Sequence, residues 1–124
     1  MLAGQRLLIV EDEFLIALDM QRVLEAAGAI DAVLARNLDE VAALGEAVSG
    51  FDLVILPPPL PSEDRYRPLF ERIAAAGSAV VVCSGFRGAR GGTFADAEFL
   101  DKPFADEELI AACERALARR SRVS

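Results

Sequence analysis

Histidine and tryptophan are both absent from the 124 residues. Without an imidazole, the chain lacks the one side chain whose ordinary titration falls between pH 5 and 8. That excludes phosphohistidine chemistry, Ser-His-Asp catalysis and His-ligated metals from this chain acting alone. Cysteine occurs only twice, as Cys83 and Cys113, each inside an apolar segment and without metal-ligand spacing. Both read as buried, reduced thiols of a cytosolic protein. No apolar run approaches the ~20 residues that cross a bilayer. The first residues lack the charged region and long apolar stretch of a signal peptide. The expectation is a cytoplasmic protein with no membrane partner.

Positive charge is also in short supply. Thirteen basic residues face 20 acidic ones, a formal net charge of −7. Such a chain repels a phosphate backbone, so nucleic acid is not an expected partner. The basic tail Arg115, Arg119, Arg120 and Arg122 reads as favourable charge at a helix C-terminus. Apolar residues make up 53% of the chain. At this length that suffices for one packed core, and residues 1–124 are read as one domain.

Apolar runs alternate with segments of helical period. Arg6–Val10 is a continuous apolar run after one charge, of the kind buried on both sheet faces. Across residues 13–27, Phe14, Leu15, Leu18, Val23 and Leu24 (with Met20 nearby) recur at helical spacing, and Gly28 stops that helix. Residues 30–35 read as a second strand. Asn37 or Asp39 caps a second helix predicted to run to about Val48. Leu53–Leu56 is the third strand, ended by Pro57, Pro58 and Pro59, because a proline within a central strand would delete a ladder hydrogen bond. A third helix over 66–76 carries Pro68 in its first turn and ends at Gly77. Strands four and five are expected at 79–83 and 97–100. Between them, Ser84-Gly85-Phe86-Arg87-Gly88-Ala89-Arg90-Gly91-Gly92-Thr93 holds four glycines, which argues for a fourth helix that is short or disordered. A last amphipathic helix spans 105–119, with Leu109, Ile110, Cys113, Ala116 and Leu117 inward. Asp106, Glu107 and Glu108 in its first turn suit the helix dipole.

Five strands alternating with helices predict an α/β fold: a doubly wound parallel sheet in the flavodoxin-like order 2-1-3-4-5. Its crevice lies at the carboxyl ends of strands one and three. Glu11, Asp12, Pro57, Ser84 and Lys102 all fall at or just beyond such strand ends.

Three segments carry a resemblance: Leu7-Leu8-Ile9-Val10-Glu11-Asp12-Glu13, Phe51-Asp52-Leu53-Val54-Ile55-Leu56-Pro57-Pro58-Pro59-Leu60-Pro61, and Phe99-Leu100-Asp101-Lys102-Pro103-Phe104. In this order, on these strands, they resemble the receiver domain of bacterial two-component response regulators over essentially the whole chain. In that family the third strand ends in an aspartate that accepts a phosphoryl group, with a Leu-Pro pair close behind. Here Leu60-Pro61 are in place, but Pro57 occupies the acceptor position, and an imino acid has no carboxylate to phosphorylate. The resemblance is therefore to a degenerate, pseudo-receiver form. Val82-Cys83-Ser84-Gly85-Phe86 is similar to the Phe-Ala-Thr-Gly-Tyr type of motif in an alphaproteobacterial subgroup. Members of that subgroup often work as single domains beside histidine kinases.

The resemblance implies roles residue by residue. Glu11 and Asp12 match the acidic pair that holds Mg²⁺, an oxygen-ligated cation. With no carboxylate at position 57, metal affinity is expected to be weak or absent, and no cofactor is expected. Ser84 matches the Ser/Thr that follows the phosphoryl group, left here with a local hydrogen bond. Lys102 matches the phosphoryl-contacting lysine, left with a salt bridge to Asp12 or Glu11. Pro103 completes a Lys-Pro that is often cis in the family. Phe99 takes the place of the switch aromatic. Asp52 and Asp64 lie too far from position 57 to share the acidic pair. The expected function is a stand-alone, non-enzymatic receiver protein acting by phosphorylation-independent contact, with a histidine kinase or another two-component regulator as partner. The alternatives are a relocated phosphoacceptor and a small-anion sensor. Oligomeric state is left open.

Overall fold

The computed structural model describes residues 2–57, 65–84 and 97–123, without the side chains of Ser84 and residues 121–123. Among the described residues the strands are β1 (Arg6–Val10), β2 (Asp31–Ala35), β3 (Leu53–Leu56), β4 (Ala79–Ser84) and β5 (Glu98–Asp101). The helices are α1 (Phe14–Ala26), α2 (Leu38–Ala42), α3 (Arg67–Ala75) and α4 (Asp106–Val123), with a 3-10 helix over Gly45–Gly50. All four strand pairings are parallel, in the order β2-β1-β3-β4-β5. This is the doubly wound arrangement expected from the alternation of strands and helices. The fourth helix expected between β4 and β5 falls on residues 85–96, outside the described residues.

The three central strands have no wet face. Side chains alternate across a strand, yet both sets are apolar here. Leu7, Ile9, Leu53, Ile55, Val81 and Cys83 pack on one side, with α1 and α4 supplying Met20, Leu24, Leu109, Cys113 and Ala116. Leu8, Val10, Val54, Leu56, Val80 and Val82 pack on the other, against Val41, Val48, Leu69, Phe70 and Ile73. Each fully buried Leu or Ile contributes roughly 1.5–3 kcal/mol relative to exposure.

One sequence expectation needs correction. The second helix does not run on to Val48. It is capped by Asn37, whose side chain accepts a hydrogen bond from the Glu40 amide, and it ends at Ala42. Gly45 then adopts φ +58, a left-handed conformation that terminates a right-handed helix, and the chain resumes as the 3-10 turn. The structure also settles the inward face of α1, which the spacing left open. The residues it buries are Ala17, Met20 and Leu24, one stripe at 3.6-residue spacing. Leu15 lies about 160° around the helix from Ala17, at ~100° per residue, and is 78% exposed. Phe14, in the first turn, is 61% exposed. Helical spacing marked both as apolar without saying which face they take.

Ion pairs close the sheet's far edge and its amino end. Glu98 on β5 accepts from Arg115 and Arg119 of α4, each at 2.7 Å. Asp52, just before β3, accepts from the Arg6 amide at 2.8 Å and from Arg120 at 2.9 Å. The basic tail is thus a set of clamps as well as a dipole complement.

Gly28 and Gly45 make a matched test. Both hold positive φ, but a Cβ on Gly28 would meet Ala3 Cα at 3.2 Å, whereas Gly45 faces open space. Gly45→Ala should cost about 1–2 kcal/mol, the strain of a left-handed L-residue. Gly28→Ala should cost more, because the N-terminal segment must also shift. Urea denaturation midpoints check the order; equal losses would show that the Ala3 contact carries no energy.

Candidate functional site

The strand ends at the carboxyl edge frame an open cavity of about 210 Å³. β1 supplies Val10 and leads into Glu11 and Asp12; β3 supplies Ile55 and leads into Pro57; β4 supplies Cys83. Lys102 follows β5, and Arg36 and Asn37 follow β2. Of the sequence-derived site residues, Glu11, Asp12, Pro57 and Lys102 converge on this cavity, whereas Phe99 and Pro103 line another. The Phe99 ring is half-buried on β5 and packs against the core on the α3 side of the sheet. Ser84 pairs with Asp101 at the end of β4. Leu60-Pro61, Asp64, Gly85 and Phe86 lie outside the described residues.

Glu11 is the electrostatic centre of the crevice. Its side chain is 6% exposed. One carboxylate oxygen accepts from Lys102 Nζ at 2.6 Å and the other from the Glu13 amide at 3.1 Å. Its own amide donates to the Ala35 carbonyl, tying the turn to β2. Burial pushes the Glu11 carboxyl up. The Lys102 ammonium, the Asp12 side chain and the Glu13 amide outweigh that and hold it below its ordinary value. Burial likewise pulls the Lys102 ammonium down, and the Glu11 carboxylate overcomes it and raises it. The pair is charged at neutral pH, and Glu11, rather than Asp12, is the partner of Lys102.

Pro57 is exposed at the crevice end of β3, one residue beyond the last paired position. There its missing N–H costs the ladder nothing. The Lys102–Pro103 bond is cis. Cys83 forms part of the cavity wall; burial pushes its thiol up to about 12, so it is neutral and unreactive. Asp52 sits at the opposite end of β3, committed to Arg6 and Arg120.

Each Glu11 oxygen accepts one hydrogen bond, and position 57 offers no side-chain oxygen. Among the described residues, no group of three or more His, Cys, Asp or Glu side chains could hold a metal ion. Arg36 was missed by sequence reasoning. It reaches the cavity rim only because β2 lies beside β1, and the sole sequence signal was its place just after a predicted strand.

Removing the ammonium isolates a buried charge. Lys102→Met should destabilise the fold by about 1–3 kcal/mol at pH 7, less than a fully buried pair costs because Lys102 is one-third exposed. The pH dependence fixes the cause. In the parent, Glu11 is lowered from 4.5, so its contribution is complete above that value and is lost as pH falls through the lower folded value. In Lys102→Met the uncompensated burial raises Glu11, and stability should begin to fall at a higher pH. Urea titrations from pH 3 to 8 check this; an unchanged acid limb would show that Lys102 does not set the ionisation of Glu11.

No family model and no curated protein sequence matches this chain. Solved structures do resemble it. The signal receiver domain of a putative Luxo repressor protein from Vibrio parahaemolyticus superposes with TM-score 0.75 at 21% identity, covering 96% of this chain and 94% of that one. A CheY-like response regulator receiver domain protein from Methanospirillum hungatei gives 0.73 at 19%, covering 98% and 100%. The receiver domain from Methylobacillus flagellatus gives 0.69 at 25%, covering 92% and 99%. The chain has the fold of the response regulator receiver domains along nearly its whole length.

Proposed function

We propose that this chain is a degenerate receiver in two-component signalling that works by contact and not by carrying a phosphoryl group. The observation that carries the reading is Pro57. It stands at the crevice end of β3, among Glu11, Asp12 and Lys102, where a receiver presents its acceptor. Phosphoryl transfer to this position needs a carboxylate oxygen, and a pyrrolidine ring offers none. The lysine that would neutralise a transferred group is engaged with Glu11. No step of catalysis is assigned to the crevice, and the protein is not an enzyme in this reading.

The partner is a histidine kinase or another two-component regulator, met in the cytoplasm. No helix among the described residues is long and apolar enough to cross a membrane. The docking surface is the start of α1, where Phe14 and Leu15 are exposed beside the crevice. Large exposed side chains of this kind are what an interface core is made from. The likeness of Val82-Cys83-Ser84-Gly85-Phe86 to the single-domain subgroup supports a protein that stands alone beside its kinase.

Two measurements test this. Intact-mass analysis after acetyl phosphate and Mg²⁺ should show no gain of a phosphoryl group; a stoichiometric gain would overturn the reading in favour of a relocated acceptor. In pull-downs from the native cytoplasm, the parent and Pro57→Asp should retain the same partners, and Phe14→Ser/Leu15→Ser should lose them. Partners that depend on Pro57 but not on α1 would place the docking surface elsewhere.

A further inference from the structure

Among the described residues, four large apolar side chains are exposed: Phe14, Leu15, Ile16 and Ile30. Three of the four share the first turn of α1. Exposed apolar residues scattered singly need no explanation, whereas a cluster marks a contact surface. At ~100° per residue, Leu18 lies about 40° around the helix from Phe14 and about 60° from Leu15. Leu18 is itself only half-buried. Phe14, Leu15 and Leu18 therefore form one patch, turned away from the inward stripe of Ala17, Met20 and Leu24.

The charges around this patch are of one sign. Asp12 and Glu13 precede the helix and Asp19 follows Leu18; all three are exposed. Arg22 is the one basic residue of α1. It stands three residues from Asp19 and three from Glu25, a spacing at which side chains pair along a helix. Residues 12–25 thus carry four carboxylates against one guanidinium. On the crevice rim, Lys102 and Arg36 are paired with Glu11 and Glu40. A second copy of this chain would set the same acidic rim against itself, and each copy carries a formal charge of −7. Like charges opposed across an interface are costly, so the occupant is not another copy.

We infer that the partner surface docking on α1 is apolar at its centre and rimmed by lysine or arginine, with Asp12, Glu13 and Asp19 selecting it by charge. This rests on the docking role of α1 given above and adds the chemistry of what docks. Phe14, Leu15 and Leu18 form the centre of the contact, from which water is expelled. The three carboxylates stay at its wet rim. Opposite charge there speeds encounter and excludes wrong partners more than it adds affinity. Rim charges are screened by salt, so association weakens as ionic strength rises.

The test uses the full chain and two synthetic amphipathic peptides of about five helical turns. Both carry the same leucine stripe; one has lysine and the other glutamate on its polar face. Fluorescence anisotropy should show the lysine peptide bound about tenfold or more tightly than the glutamate peptide, the gap closing as salt rises from about 0.05 to about 0.5 M. Asp19→Lys and Glu13→Gln/Asp19→Asn alter exposed side chains and should fold as the parent does, which circular dichroism checks. Each should weaken the lysine peptide by about threefold or more. Phe14→Ser/Leu15→Ser should weaken it by about tenfold or more. Equal binding of the two peptides, or binding of neither, would overturn the inference. A pulled-down partner lost with Phe14→Ser/Leu15→Ser but indifferent to Asp19→Lys would keep the docking role of α1 and overturn selection by charge. Lysine-peptide binding indifferent to Phe14→Ser/Leu15→Ser would overturn both. A sedimenting dimer that Phe14→Ser/Leu15→Ser dissociates would make a second copy the occupant and overturn the inference as well.

Discussion

The constraint on which this molecule rests is that its three central strands are dry on both faces. Leu7 through Val10, Leu53 through Leu56 and Val80 through Val82 are all buried, whichever side of the sheet they point to. Buried polar groups cost free energy unless paired, so nearly all the chain's polar chemistry is pushed to the strand ends. The two buried charged residues among those described follow that rule. Glu11 follows β1 and is met by Lys102; Glu98 opens β5 and is met by Arg115 and Arg119. The crevice is therefore a consequence of the core.

How much of this was legible in the sequence depends on which physical signal each element carries. β1 and β3 were readable to the residue because an apolar run bounded by a charge or a proline has only one way to be buried. The sheet order followed from alternation and handedness, and the convergence of Glu11, Asp12, Pro57 and Lys102 followed from the order. The inward face of α1 was not legible. Phe14 and Leu15 are as apolar as a core residue, and periodicity alone cannot tell an interior stripe from an exposed cluster one turn away. The early end of α2 depends on one backbone angle, that of Gly45, which composition does not encode. Arg36 and the pairing of Glu98 with two arginines are tertiary events. They join residues that only the completed sheet brings together.

At the crevice, Lys102 and Glu11 stabilise each other across 91 residues of chain. This pairing joins the turn after β1 to the turn after β5, and it spares the crevice an uncompensated buried charge. In the reading offered above, what was reactive machinery serves as reinforcement for a surface, and specificity comes from the shape presented by α1.

The clamps along α4 are unevenly spread. Arg115 and Arg119 grip one edge of the sheet through Glu98, while Arg120 reaches beneath it to Asp52. Pulling this helix away would mean breaking three ionic grips within little more than one helical turn. The load is shared with the buried seam of Leu109, Cys113 and Ala116 that the same helix lays against the sheet.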